Sequence, residues 1–162
     1  MVLSLKINEI FPVPPKLDRL EIFTGVWDVK GTIGLYGSAT NIIGTWSSAR
    51  VSSGWGLRAN LKINFDNLGY YEQDDLIGYD PQTSGFQVFG VTNLGTQYLF
   101  NGLWQEEPCI VLERYGSQDG KKFFDRILIK DITDKNFRIN ENHEVEGKQV
   151  LTAELSLARL VK

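Results

Sequence analysis

The chain has 162 residues, 42% hydrophobic and 12% aromatic, which suits one domain over 1–162 with a sizeable core and leaves no length for a second. A formal net charge of -3 argues against a nucleic-acid surface, which needs a basic stripe to neutralise phosphates. Cys109 is the only cysteine, which excludes an intramolecular disulfide and a thiolate metal cluster.

The opening residues Met1-Val2-Leu3-Ser4-Leu5-Lys6-Ile7 are mostly apolar, but Lys6 and Glu9 interrupt them before a signal-peptide core develops. No other window approaches the roughly 18 apolar residues of a membrane span. The expectation is a cytoplasmic protein that partners neither membrane nor nucleic acid. Residues 14–23 read as a short amphipathic helix, with proline near the first turn and Leu17, Leu20 and Phe23 about one turn apart. Such a helix would plug one end of whatever follows.

From Gly25 onward, turn signals recur at short intervals: Gly34, Gly37-Ser38, Ser52-Ser53-Gly54, 66–69, 80–85, Asn93-Leu94-Gly95, Glu106-Glu107-Pro108, 117–120, 133–136 and Glu146-Gly147. The runs between them alternate apolar and polar residues, giving about ten strands in hairpin order. Gly25-Val26-Trp27 opens the first. Trp46 and Trp55 lie near Gly44, Gly54 and Gly56, where packing over a bulge or bend is favoured over ligand stacking. The clearest run places Leu57, Ala59, Leu61, Ile63 and Phe65 on one face. Asp74 and Asp75 are adjacent and therefore point to opposite faces, so they form no carboxylate pair.

Asp80-Pro81 with Gly85 is a turn-building set: Asp bonds forward to backbone N–H groups, Pro fixes φ, and Gly supplies a conformation that other residues resist. Residues 86–91 and 98–104 then supply large side chains on both faces, including Tyr98 and Trp104. Cys109 precedes Ile110-Val111-Leu112, where a buried, inert thiol is expected. In the last strand, Leu151, Ala153, Leu155 and Leu157 share a face with Arg159. First and last strands are neighbours in a sheet closed on itself, so Trp27 and Arg159 can stack across the seam. Gly25, Trp27 and Arg159 are accordingly read as the structural closure of a barrel.

The short helix, Gly25-x-Trp27 at the first strand, a strand meander and a late Arg resemble the calycin superfamily of lipocalins and fatty-acid-binding proteins. Within it, Gly78-Tyr79-Asp80-Pro81-Gln82-Thr83, an aromatic-rich strand and Asn93-Leu94-Gly95-Thr96 are similar to a bacterial family of uncharacterised lipocalin-like domains. The resemblance covers roughly Leu17 to Arg159. A Thr-Asp-Tyr before a middle strand, the second lipocalin motif, is not evident, which moves the likeness towards intracellular relatives. The fold expected is all-β: a single antiparallel up-and-down lipocalin-like β-barrel of about ten strands with a short N-terminal helix.

Enzyme readings have few groups to work with. His143 is the only histidine and lies in a polar stretch at a strand end, where an exposed side chain is expected. No G-x-S-x-G elbow, H-E-x-x-H pair or G-x-x-x-x-G-K loop occurs, so no catalytic residue and no metal site is assigned. A binding module fits better: a small hydrophobic or amphipathic molecule, including a carboxylate, held inside the barrel without turnover. Arg114 shares parity with Leu112, and Arg126 with Phe124 and Leu128, so either could clamp a carboxylate with a tyrosine alongside. Pairing of these arginines with Glu113 and Asp125 is the bland alternative. The candidate ligand-binding residues are thus Tyr98, Trp104, Arg114, Tyr115 and Arg126, with no cofactor required. Two alternatives stay open. Intracellular nitrobindin-like relatives bind haem through a late histidine, a role His143 would fill, and a barrel with an apolar outer patch could be a homodimer without ligand.

Overall fold

The computed structural model describes residues 15–66, 69–80, 82–105 and 109–160. The readings of 1–14, of Asn67-Leu68, Pro81 and Glu106-Glu107-Pro108, and of the chain beyond 160 lie outside the described residues.

The N-terminal element is α1 (Pro15–Asp18), which tightens into a 3-10 turn over Arg19–Phe23. The expected single helix is therefore shorter in its α part. Leu17, Leu20 and Phe23 repeat every three residues, the period at which a 3-10 helix aligns its side chains, and all three are buried. Thr24 ends the element, its N–H and Oγ1 both donating to the Glu21 carbonyl at 3.0 and 2.9 Å.

Ten strands follow: β1 (Gly25–Leu35), β2 (Ser38–Val51), β3 (Gly56–Phe65), β4 (Gly69–Asp80), β5 (Gly85–Thr92), β6 (Gln97–Trp104), β7 (Ile110–Gln118), β8 (Lys121–Lys130), β9 (Asn136–Val145) and β10 (Lys148–Arg159). Each pairs antiparallel with the next, and β1 closes on β10, giving a closed up-and-down barrel with no free edge. Three of its hairpins turn on residue pairs with positive φ, Tyr36-Gly37, Asp119-Gly120 and Glu146-Gly147, the signature that matches strand twist in two-residue loops. Gly34, read as a turn residue, lies inside β1. In the β4–β5 hairpin the Asp80 carboxylate accepts from the Gln82 N–H at 2.9 Å and the Thr83 hydroxyl at 2.8 Å, as expected of an Asx turn. The positive φ there belongs to Ser84 at 55°, not to Gly85.

The seam explains why a glycine and a tryptophan begin β1. Trp27 pairs with Arg159 across β1–β10, and the guanidinium carbon sits 4.1 Å from the centre of its ring. Arg159 also donates from Nη1 to the Thr24 carbonyl and from Nη2 to the Ile22 carbonyl, both at 2.6 Å, and from Nε to the Asp134 carbonyl at 2.5 Å. Gly25 has φ 116°, and a Cβ there would stand 2.8 Å from Arg159 Nη1, so only glycine lets the guanidinium reach the N-terminal plug. Trp27 is fully buried and donates from Nε1 to the Phe23 carbonyl at 2.9 Å; the Ser48 hydroxyl donates to the same oxygen at 2.7 Å. The plug is thus pinned through its own orphan carbonyls. Above it, Phe23, Trp27, Trp46 and Phe137 form an aromatic floor, with Phe137 edge-on to Trp27 at 4.8 Å and to Phe23 at 5.1 Å. Among the described residues no helix is long and apolar enough to cross a membrane.

Candidate functional site

Above the aromatic floor the barrel is hollow. A cavity of about 490 Å³ is bounded by Phe23 and Trp46 below and by apolar side chains such as Leu57, Phe86, Phe100 and Ile110 on the walls. Towards the opposite end its lining becomes polar: Tyr71, Gln73, Asp75, Tyr98, Arg114, Glu141 and His143. It extends to Thr92, Thr96, Ser117 and Gln118, which lie at the β5–β6 and β7–β8 hairpins away from the plug.

Two rows across the sheet build this polar end. In the first, Arg114 of β7 faces Asp125 of β8, and Asp125 faces His143 of β9. Strand alternation turns all three inward, because Asp125 shares parity with the cavity-lining Phe123 and Ile127, and His143 with Phe137 and Ile139. Arg114 donates to Asp125 Oδ2 from Nε at 2.5 Å and also from Nη2, while Asp125 Oδ1 bonds His143 Nδ1. Asp125 is 1% exposed, and a carboxylate so enclosed requires partners of this kind. The Arg114 guanidinium also lies 5.0 Å from the ring centre of Phe123, 5.2 Å from Phe100 and 5.7 Å from Tyr98.

In the second row, Asp75 of β4 faces Gly90 of β5, which faces Tyr98 of β6. A Cβ on Gly90 would overlap the Tyr98 ring. The missing side chain is what lets Tyr98 lie across β5 and donate its hydroxyl to Asp75 Oδ1 at 2.5 Å. Gln73 Nε2 donates to Asp75 Oδ2 at 2.8 Å, and the Tyr71 hydroxyl donates to Gln73 Oε1 at 2.7 Å. Asp74, as expected, points outward, where it meets Arg58 at 3.3 Å.

Glu141 is the exception among the acids. Its sheet neighbours are Ile127 and Ala153, and its carboxyl has no hydrogen-bond partner among the described residues. Burial, reinforced by the charge of Asp125, pushes it up to about 7, against the opposing pull of His143 and Arg114. Burial also raises Asp75, with the Tyr98 and Gln73 hydrogen bonds working the other way. Burial raises Tyr98 and Tyr71 far above the ordinary phenol range, helped by Asp75 at Tyr98 and by Glu141 at Tyr71.

Of the residues singled out in the sequence, Tyr98 and Arg114 line the cavity. Trp104 lies on the inner wall at the plugged end, stacked on Phe23 at 6.4 Å with the Arg19 guanidinium 4.6 Å from its ring, and its buried Nε1 has no acceptor among the described residues. Arg126 and Tyr115 require correction: both stand on the outer face. Arg126 is 54% exposed, 3.6 Å from Glu113, and Tyr115 is 71% exposed and stacked on Phe124 at 4.6 Å. β8 is apolar on both faces, and the parity shared by Phe124, Arg126 and Leu128 is the outward one. Cys109 is half-buried beside an outer-surface groove rather than in the core. His143 is corrected in the other direction, from an exposed strand end to the cavity wall. In the sequence Asp75 is weighed only against Asp74, and Asp125 and Glu113 only as partners for the arginines, a pairing the structure shows as Arg114–Asp125 and Arg126–Glu113; Glu141 is not singled out, although its parity with Ile139 is a readable signal.

No protein-family model and no curated protein matches the chain. Among solved structures, the S-type phycobiliprotein lyase from Guillardia theta superposes with a TM-score of 0.65 over 98% of this chain and 99% of that chain. The two sequences are 14% identical, so the likeness is one of fold.

Proposed function

We propose that this protein holds a small amphipathic molecule in its barrel and releases it unchanged. The observation that carries the reading is the cavity itself: about 490 Å³, apolar towards the plug and polar at the other end, within the size range of small-molecule sites. A barrel acting only as an interaction surface would fill its interior with its own side chains. The similarity to a phycobiliprotein lyase supports a barrel that handles a small ligand. In this reading residues 1–162 form one cytoplasmic domain of the bacterial lipocalin-like family described above.

The carboxylate ligand expected from Arg114 fits less well than an uncharged or cationic head group. Two of the guanidinium's nitrogens already serve Asp125, and Arg126 is outside the barrel. Haem has one observation in its favour, a cavity-facing His143 held at Nδ1 by a carboxylate, the support that ligating imidazoles commonly have. The charge does not fit, because haem propionates would meet Asp75 and Glu141 at the polar end. Added hemin should give no Soret band that depends on His143.

Native mass spectrometry of the purified protein, alongside Nile red fluorescence, tests the carrier reading. The protein should bind Nile red, and Ile127→Trp, which fills the cavity from its wall, should abolish binding while leaving the far-ultraviolet spectrum intact. Equal dye binding by Ile127→Trp would refute the reading.

A further inference from the structure

We infer that the molecule held in the cavity carries a protonated amine, which sits on the Glu141 carboxylate while its apolar body runs towards the floor of Phe23 and Trp46. This rests on the carrier reading and specifies its ligand class.

The polar end has a surplus of acid. Asp75 and Glu141 line the cavity with Arg114 and His143, and Asp125 is buried against those two basic groups. Arg114 through Nε and Nη2 and His143 through Nδ1 are committed to Asp125, and they reach Glu141 through charge alone. Asp75 is served by two neutral donors, Tyr98 and Gln73. Glu141 is left with apolar neighbours in the sheet on both sides, Ile127 and Ala153. A carboxylate so placed needs N–H donors as well as positive charge; Arg114 and His143 act on it only through charge they share with Asp125, and no described residue donates to it, so a ligand brought into the cavity is the remaining source of a donor.

The rest of the cavity fits such a ligand. On β9, Phe137, Ile139 and Glu141 line the cavity in sequence, so floor and carboxyl are about 13 Å apart along the strand, room for an alkyl or aromatic body. The elevated affinity of Glu141 for protons, caused by burial and by Asp125, shows that the pull of His143 and Arg114 does not offset its desolvation; an ammonium group bonded to it would. A ligand carboxylate would instead meet Asp75 and Glu141 as like charges.

The test uses three probes of one chain length, decylamine, decanol and decanoic acid, displacing Nile red from the full-length protein at pH 8 and fixed ionic strength. Decylamine is expected to displace the dye at about tenfold lower concentration than decanol, the scale of one charge-assisted hydrogen bond, with decanoic acid weakest. Glu141→Gln should bring decylamine to within about twofold of decanol while leaving decanol unchanged. Decanoic acid matching decylamine, or an amine preference that survives in Glu141→Gln, overturns the inference and leaves the carrier reading standing. Failure of all three probes against a dye whose binding Ile127→Trp abolishes likewise overturns the inference alone, whereas dye binding unchanged by Ile127→Trp overturns both. The ranking in the unaltered protein decides the matter even if the variant folds poorly.

Discussion

Replacing Glu141 by Gln keeps the side chain's size and removes its charge, so it isolates what the buried carboxyl does to stability. In the unfolded chain this group titrates near 4.5; in the barrel it is pushed up to about 7. The folded state therefore holds the proton more tightly, and stability falls as pH rises from 4.5 to about 7, with the full deficit present above that window. At about 1.4 kcal/mol per pH unit the interval corresponds to about 3 kcal/mol, and water entering the cavity reduces it, so about 1–3 kcal/mol is expected. For a chain of this length that is about 2–10 °C in Tm. Thermal and urea unfolding of both proteins between pH 4 and pH 8, written as a difference, is the assay; groups that do not interact with Glu141 cancel, and the charge coupling of Asp75 to Glu141 adds to the difference in the same direction. The curves should converge below pH 4.5, and the variant should be the more stable at pH 8. A difference independent of pH, or a variant less stable at pH 8, would refute the assignment of Glu141 as an unpaired buried acid.

Gly90→Ala puts a methyl group into the Tyr98 ring; about 1–3 kcal/mol of stability should be lost, and spectrophotometric titration should show one more tyrosine ionising near pH 10 once Tyr98 leaves Asp75. Arg159→Lys removes the fork that reaches the Ile22, Thr24 and Asp134 carbonyls, so about 2–4 kcal/mol should go. Hydrogen exchange at 20–27 should accelerate with it; protection equal to that of the unaltered protein would show that the clasp does not pin the plug. Arg114→Ala leaves Asp125 with His143 alone and should destabilise by about 3 kcal/mol, read by urea unfolding. Arg126→Ala, on the outer face against Glu113, should change stability by less than about 0.5 kcal/mol and leave Nile red binding as it was.

Much of the fold was legible because its determinants are local. Alternation along 57–65 and 151–157 names the inner face directly, and positive-φ turns sit at Gly37, Gly120 and Gly147, where glycine marks them in the sequence. The seam was legible for a topological reason: closure makes β1 and β10 neighbours, so Trp27 and Arg159 must meet. Arg126 shows where this stops. In Phe123-Phe124-Asp125-Arg126-Ile127-Leu128 both faces are apolar, and parity alone cannot say which one is inside. The same ambiguity hid Asp125, whose burial is the reverse side of Arg126's exposure.

The period, the turns and the closing pair are set by neighbours along the chain or by the order of the strands, and so are readable from residues alone. The site is set by contacts across strands, between residues distant in the chain. Arg114, Asp125 and His143 come from three strands, and so do Asp75, Gly90 and Tyr98; each row exists because barrel register sets particular residues opposite one another. Register also left Glu141 between Ile127 and Ala153 with no hydrogen-bond partner among the described residues, something only the folded neighbours could reveal.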